Sequence, residues 1–313
     1  MEMKVARAGQ MTTVQDLGRR GHRASGVPLS GPMDPFAFRV ANLLVGNPED
    51  AAGLEITLSG LELEFPEAAR IALCGADFSG VPSWRPLVVK AGERVRLGEC
   101  RKGCRGYLAV AGGISVPPVL GSRSTYLRAG LGGFDGRMLR DGDKLEIGSD
   151  PASPAPNGQS GSFFVAPSII PAYSKSPTIR VLRGAQAGEL EKGLYEEEFT
   201  VSPRSDRMGL RLNGKAIARR SGADPASAAV VPGTVQVPPD GQPIVLMADA
   251  QSIGGYPQAA HVIGVDMPIV AQLRPGDTLR FGEVLLDEAQ RLLLRREREL
   301  AFLRESVRQR LTP

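Results

Sequence analysis

Four polar, glycine-flanked stretches carry the side chains best suited to chemistry. The first, VQDLGRRGHRASGVPLSGPMD (Val14 to Asp34), sets Gln15, Asp16 and Arg19 among glycines. The second is GSRSTYLRAGLGGFDGR (Gly121 to Arg137), with Arg123 near its start. The third is SPRSDRMG (Ser202 to Gly209), with Arg207. The fourth is DAQSIGGYP (Asp249 to Pro257), with Asp249, Gln251, Gly254, Gly255 and Tyr256 directly after the apolar run PIVLMA. A guanidinium grips a carboxylate bidentately, and a glutamine bonds an amide from either end. Glycine lets the backbone come close to a ligand. Together these types suit recognition of a small polar amide or carboxylate. Asp16 and Asp249 are the candidate catalytic carboxylates, for proton transfer or for holding a cation. Gln15, Arg19, Arg123, Arg207, Gln251, Gly254, Gly255 and Tyr256 are the candidate substrate-binding residues. The competing reading is structural: Asp beside Gly forms turns, and Arg in a loop ties down carbonyls.

Other chemistries lack their residues. There is no G-x-x-x-x-G-K-S/T, so no P-loop. The cluster Gly130, Gly132, Gly133 and Gly136 does not have the dinucleotide-binding spacing. There is no G-x-S-x-G elbow. With only two histidines, His22 and His261, a histidine-rich metal site is not expected. No nucleophile motif neighbours His22, which is therefore not read as a triad base. Cys100 and Cys104 read as ordinary thiols beside a hairpin, in a reducing compartment.

The elements that must position these loops are mostly strands. One unit recurs three times, as AGERVRLGE from Ala91, DGDKLEIGS from Asp141 and PGDTLRFGE from Pro275. Each is a Gly-acid turn followed by period-two alternation, the pattern of a half-buried strand. LEITLSGLELEF (Leu54 to Phe65) predicts a hairpin turning at Ser59-Gly60, with its apolar residues on one face. Further strands are expected at Ile71 to Cys74, Gly106 to Ile114, Thr178 to Leu182, Pro243 to Ala248 and Ala259 to Val265. Helices are few. Asp34-Pro35 opens one, by an N-cap carboxylate and a proline at the first helical position. Asp287 is expected to cap a terminal helix that packs against the second half. SDPASPAPNGQSGS (Ser149 to Ser162) has linker composition. The predicted division is therefore 1–150, a linker over 151–176, 177–286, and a terminal helix over 287–313.

Composition narrows the rest. The 313 residues are 42% hydrophobic with 38 Gly and 25 Pro, which favours short strands and turns. From Arg291 on there are seven Arg and three Glu, an excess equal to the whole net charge of +4. The neutral body gives no reason to expect nucleic acid. No apolar run approaches the roughly 18 residues a membrane span needs, so a cytoplasmic protein is expected.

The four loops, in this order, resemble one family. TTVQDLGRRGHRASGVPLSGPMD, AN-x-LVGN, LEITLSG, LCGADF, YLAVAGGI, GSRST, PGTVQVPPDGQPIVLMAD and QSIGGYP are similar to the allophanate hydrolase subunit 2-like, or biotin-dependent carboxyltransferase-related, family. The resemblance runs from about Ala8 to Glu283. It implies a mainly β fold of two tandem cyclophilin-like β-barrel domains, with the loops of both halves sharing a cleft. It also implies a role as the C subunit of an ATP-dependent 5-oxoprolinase, opening 5-oxo-L-proline to L-glutamate. The partners would be its KipI-like B subunit and, as a third component, its A subunit. The substrate would be a small polar amide or lactam. ATP, with its Mg²⁺, would serve the complex; no biotin-carrier A-M-K-M segment appears, and no other metal is expected. The alternatives within the family are a biotin-dependent carboxyltransferase acting on urea or a related amide, and a non-catalytic regulator of a KipI-like kinase inhibitor. One departure stands out: members often place an acid after the serine corresponding to Ser227, where this chain has Ala228.

Overall fold

The computed structural model describes residues 1–149, 163–191, 193–220 and 225–311. The chain forms two compact units. The first comprises Met1–Arg20, Ser30–Ile170 and Arg298–Pro313, the second Gly21–Leu29 and Pro171–Glu297. The linker stretch falls partly outside the described residues. Its continuation from Phe163 is packed, with Phe163 and Val165 buried in the first unit.

The first unit holds two sheets. One has four strands, in the order Arg94–Arg96, Leu61–Glu64, Glu2–Ala8, Lys144–Glu146. The other has five, in the order Met11–Gln15, Gly53–Thr57, Cys100–Val110, Ala69–Phe78, Pro86–Val89. Met3, Val5, Leu61, Leu63 and Leu145 of the first sheet meet Leu54, Ile56, Ile71, Leu73, Leu108 and Val110 of the second in one core. The alternate residues Ala72, Cys74, Tyr107 and Ala109 face a second core on the other side, against the helix α1 (Pro35–Leu44). Strands buried on both faces read as continuous apolar runs, which is why IALC and YLAV show no polar alternation. Cys100 and Cys104 are free, buried thiols on one of these strands.

The hairpin expected over Leu54 to Phe65 does not form. Gly53–Thr57 pairs with Met11–Gln15 and Cys100–Val110, whereas Leu61–Glu64 pairs with Glu2–Ala8 and Arg94–Arg96. The chain switches sheets at Leu58, whose backbone is left-handed (φ 64°). Leu54, Ile56, Leu61, Leu63 and Phe65 still share a core. Period two specifies a common buried face, and two strands on opposite sheets meet that condition as well as two paired ones do.

The turn-strand repeats are strands at Arg94–Arg96, Lys144–Glu146 and Thr278–Glu283. In each, the acid after glycine accepts the amide three residues before it: Lys90 N on Glu93 (2.9 Å), Arg140 N on Asp143 (2.7 Å) and Arg274 N on Asp277 (2.9 Å). Arg137 also grips Asp143, and its hydrogen bonds hold that carboxyl below the usual range.

The second unit contains a closed barrel of seven strands. Their order is Thr178–Arg183, Gln258–Val262, Thr234–Gln236, Ile244–Leu246, Gly209–Asn213, Phe199–Val201, Thr278–Glu283. An odd number of strands cannot close with antiparallel pairs alone, and the ring closes through a parallel pair, Ile179 opposite Phe281. Ile179, Val181, Phe199, Leu212, Val235, Val245, Ala260 and Leu279 are buried in this unit. A short helix, α2 (Met267–Ala271), follows Asp266, whose carboxylate takes the Arg180 amide and guanidinium. The fold is thus mainly β with few helices. Among the described residues one ring of strands closes, in the second unit, and the strands of the first unit form sheets of four and five strands.

The terminal helix α3 runs over Leu286–Leu311. It starts one residue before Asp287, so Asp287 and Glu288 lie in its first turn, where they favour the positive end of the helix dipole. Its first part, to Glu297, belongs to the second unit as expected, whereas its remainder belongs to the first. Leu300 and Val307, two turns apart, are buried in the first unit's core with Phe36, Val40 and Leu44 of α1. An apolar stripe announces that a face is covered but not by what. The face of α1 not turned to the sheet is itself apolar and needs this cover. Leu300→Ala should therefore lower stability by about 2–4 kcal/mol, whereas Phe302→Ala, at a position 77% exposed, should stay within about 0.5 kcal/mol. Urea unfolding of the two variants checks this; equal losses would contradict the packing described.

Candidate functional site

In the first unit the chosen residues converge on one loop. Gln15 ends the strand Met11–Gln15, and Asp16 follows where that strand turns away. Oδ1 of Asp16 accepts from Gly18 N (2.9 Å), Ser122 Oγ (2.6 Å) and Ser124 Oγ (2.6 Å). Oδ2 accepts from the Arg123 amide. The Gly18 contact closes an Asx turn; the other three bind the loop 121–125. Arg19 is fully buried and donates to the carbonyls of Val119 (3.1 Å) and Ser124. Arg123 turns its Nε to the Val116 carbonyl (2.9 Å). The Thr125 amide and hydroxyl both donate to the Val14 carbonyl (3.0 and 2.8 Å). Gln15 Nε2 donates to Thr13 Oγ1 (3.0 Å) and the Thr125 carbonyl (3.3 Å), while its Oε1 has no partner among the described residues.

In the second unit Arg207 and Asp249 form a buried fork. Arg207 Nε donates to Oδ2 (2.9 Å) and Nη2 to Oδ1 (3.1 Å), with both side chains about 5% exposed. The Asp249 amide returns to the Arg207 carbonyl (2.9 Å). Beyond Asp249 the loop emerges: Gln251 and Tyr256 are exposed, and Gly254 and Gly255 partly so. Ile253–Gly254 pairs with Ala228–Ala229, with Ala228 opposite Gly254. A Cβ on Gly254 would meet Gln236 Nε2 at 2.5 Å, so only glycine lets Gln236 reach the Tyr256 carbonyl (3.3 Å). Arg23, from the segment Gly21–Leu29, donates to the Val230 and Gln251 carbonyls. At that rung the ladder presents the methyl of Ala228.

Arg23 and Gln236 were not singled out from sequence. Arg23 lies in the opening stretch, but its carbonyl partners are more than 200 residues away, and no local pattern points to them. His261 sits in the barrel wall with Thr234 Oγ1 3.3 Å from its Nδ1, and burial pushes its pKa down. Among the described residues no three His, Cys, Asp or Glu side chains gather as metal ligands would. A cavity of about 470 Å³ lies along α3, walled by Phe163, Ile169, Phe302, Leu303 and Val307 among others. None of the site residues named above lines it.

With this geometry in place, the chain can be set beside known proteins. The family described as carboxyltransferase domain, subdomain A and B, matches residues 25–283. The chain is 42% identical over 298 residues to the 5-oxoprolinase C subunit of Escherichia coli, covering 92% of this chain and 93% of that protein. It is 37% identical over 308 residues to the 5-oxoprolinase C subunit of Haemophilus influenzae, covering 94% and 95%. Among solved structures, the urea amidolyase of K. lactis superposes with a TM-score of 0.89 at 31% identity, over 96% of this chain and 20% of that one. The chain thus spans about a fifth of that amidolyase. Matched over residues 25–283, this chain belongs to the carboxyltransferase domain family of subdomains A and B.

Proposed function

We propose that the chain is the C subunit of a 5-oxoprolinase complex that opens 5-oxo-L-proline to L-glutamate at the expense of ATP. One observation carries this reading. The match to the C subunits of two 5-oxoprolinases is nearly end to end in both directions, at 42% and 37% identity. A lactam is a poor electrophile, and coupling to ATP makes its hydrolysis feasible. In this reading the co-substrate, with its Mg²⁺, serves a cytoplasmic complex that also holds the KipI-like B subunit together with the A subunit.

This chain's part is to hold and orient the lactam. Gln15, Arg19 and Arg123 from the first unit, and Arg207, Gln251, Gly254, Gly255 and Tyr256 from the second, are assigned to substrate binding. Asp16 and Asp249 are assigned to the same machinery, acting by position: each carboxylate is occupied by donors of its own unit. The finer fold description, two cyclophilin-like barrels in tandem, belongs to this reading too and is supported by the closed ring of the second unit. A second reading, carboxyl transfer to urea or a related amide, is favoured by the likeness to the urea amidolyase. It requires separate biotin-carrying partners.

Reconstitution separates the two. The chain mixed with its partner subunits should release glutamate from 5-oxoproline with ATP, and omission of this chain should abolish release. Turnover that persists without it would overturn the proposal, and turnover of urea with carboxybiotin would favour the second reading.

The Arg207–Asp249 fork gives a further expectation. Asp249→Asn removes the charge that answers a buried guanidinium and should cost about 3–5 kcal/mol, whereas the apolar double change Arg207→Met with Asp249→Leu should recover most of that loss. The recovered double variant should still be inactive in the complex. Parental turnover from it would remove the fork from the site and leave it a structural brace.

A further inference from the structure

The last turns of α3 form one wall of a groove that the candidate site does not use. From Arg298 on, α3 belongs to the first unit, as do residues 163–169 across from it. The groove holds about 470 Å³, room for a few side chains or a small molecule. Phe163 and Val307 are buried in the core with α1, and Ile169 and Leu303 pack half-buried against it, so the floor is fixed and apolar. The rim is exposed. Phe164 is 69% exposed and Phe302 77%, and they are the two exposed phenylalanines among the described residues. Large apolar side chains left in water around a formed groove mark an interaction surface.

Spacing and charge say what the groove takes. Arg298, Phe302, Ser306 and Arg310 all line it and follow at intervals of four residues, as one ridge of the helix. Ser306 leaves a notch in that ridge between two long side chains, where a knob from a facing helix enters. At about 1.5 Å per residue, the Arg298 and Arg310 positions stand about 18 Å apart, at the two ends. The other two arginines of this stretch are engaged: Arg304 Nε donates to Glu49 (3.0 Å) and Arg308 Nε to Glu305 (3.1 Å). Arg298 has no ion pair among the described residues, and Arg310 lies over the Phe163 ring, 5.2 Å from its centre. With one carboxylate, Glu299, on the same lining, the groove is net positive.

Resting on the reading given under Proposed function, we propose that this groove docks an acidic amphipathic helix of another subunit of the complex. The apolar face of that helix fills the groove between Phe164 and Phe302, and its carboxylates meet Arg298 and Arg310. A small carboxylate does not span two positions about 18 Å apart, and it leaves the phenylalanine rim in water. A second copy of this chain is disfavoured by charge. Pairing the ridge with itself about a two-fold axis sets one copy's Arg298 against the other's Arg310. Residues 150–162, which precede Phe163, contain no Leu, Ile, Val, Met or aromatic residue to fill the groove.

The test titrates the full chain with its purified A and B subunits by calorimetry. Phe302→Ala should weaken binding about 30-fold, as truncating an aromatic anchor does. Ser306→Phe, which plugs the notch, should weaken it at least as much. Arg298→Glu should weaken it about ten-fold and flatten its dependence on salt. Phe302 and Arg298 are exposed, so neither of their changes should lower the urea midpoint. Parental affinity in these two variants would overturn the proposal, even in a complex that turns over 5-oxoproline. So would a parental self-association that Phe302→Ala abolishes, which would make a second copy the occupant. Binding of the chain to anionic lipid vesicles, lost in Phe302→Ala, would overturn it in favour of a membrane surface. The expected losses without any 5-oxoproline turnover would uphold the docking groove and overturn the functional reading. A parent chain that binds neither subunit would overturn both.

Discussion

The polar loops of the first unit depend on one carboxylate. Asp16 collects donors from Gly18, Ser122, Arg123 and Ser124, and so ties the end of one strand to a loop more than 100 residues away. Hydrogen bonds to an ionised, mostly buried group are among the stronger ones in a protein. Arg19 reinforces the joint by binding carbonyls of the same loop. Gln15 then has its amide nitrogen fixed, and its oxygen is without a partner among the described residues.

The second unit uses a different device for the same purpose. The fork between Arg207 and Asp249 fixes the start of the loop Asp249–Pro257 against the loop Ser202–Gly209. Burying two charges gains little net stability, because desolvation offsets most of their attraction. What the pair supplies is definition: the exposed Gln251 and Tyr256 emerge from a fixed origin. In both units polar side chains are spent on holding loop backbones in place, as a precise site requires.

Much of this was legible in the sequence, and the gaps have physical causes. The repeated Gly-acid turns were readable because the acid bonds an amide only three residues back. Asp34 was readable as a cap for the same reason, its carboxylate taking the Ala37 amide. What failed was pairing at a distance. Leu54 to Phe65 alternates like a hairpin, yet the choice between a partner strand and an opposite sheet is made by strands elsewhere in the chain. The cover that Leu300 and Val307 give to α1 is likewise non-local. The residues proposed for the site stand out in the sequence as types in glycine-rich loops, but their partners, Ser124 for Asp16 and Gln236 for the Tyr256 carbonyl, became visible only in three dimensions.

The bracing role of Asp16 is open to one direct measurement, amide hydrogen exchange at Gly18 and Arg123 in the parent and in Asp16→Ala. Both amides donate to the carboxylate, so both should be protected in the parent. In the variant they should exchange on the order of 100-fold faster, as expected from losing hydrogen bonds to a charged group, with the strand Cys100–Val110 unchanged. Protection retained at Gly18 and Arg123 in the variant would contradict the bracing role and leave the loop held by something other than Asp16.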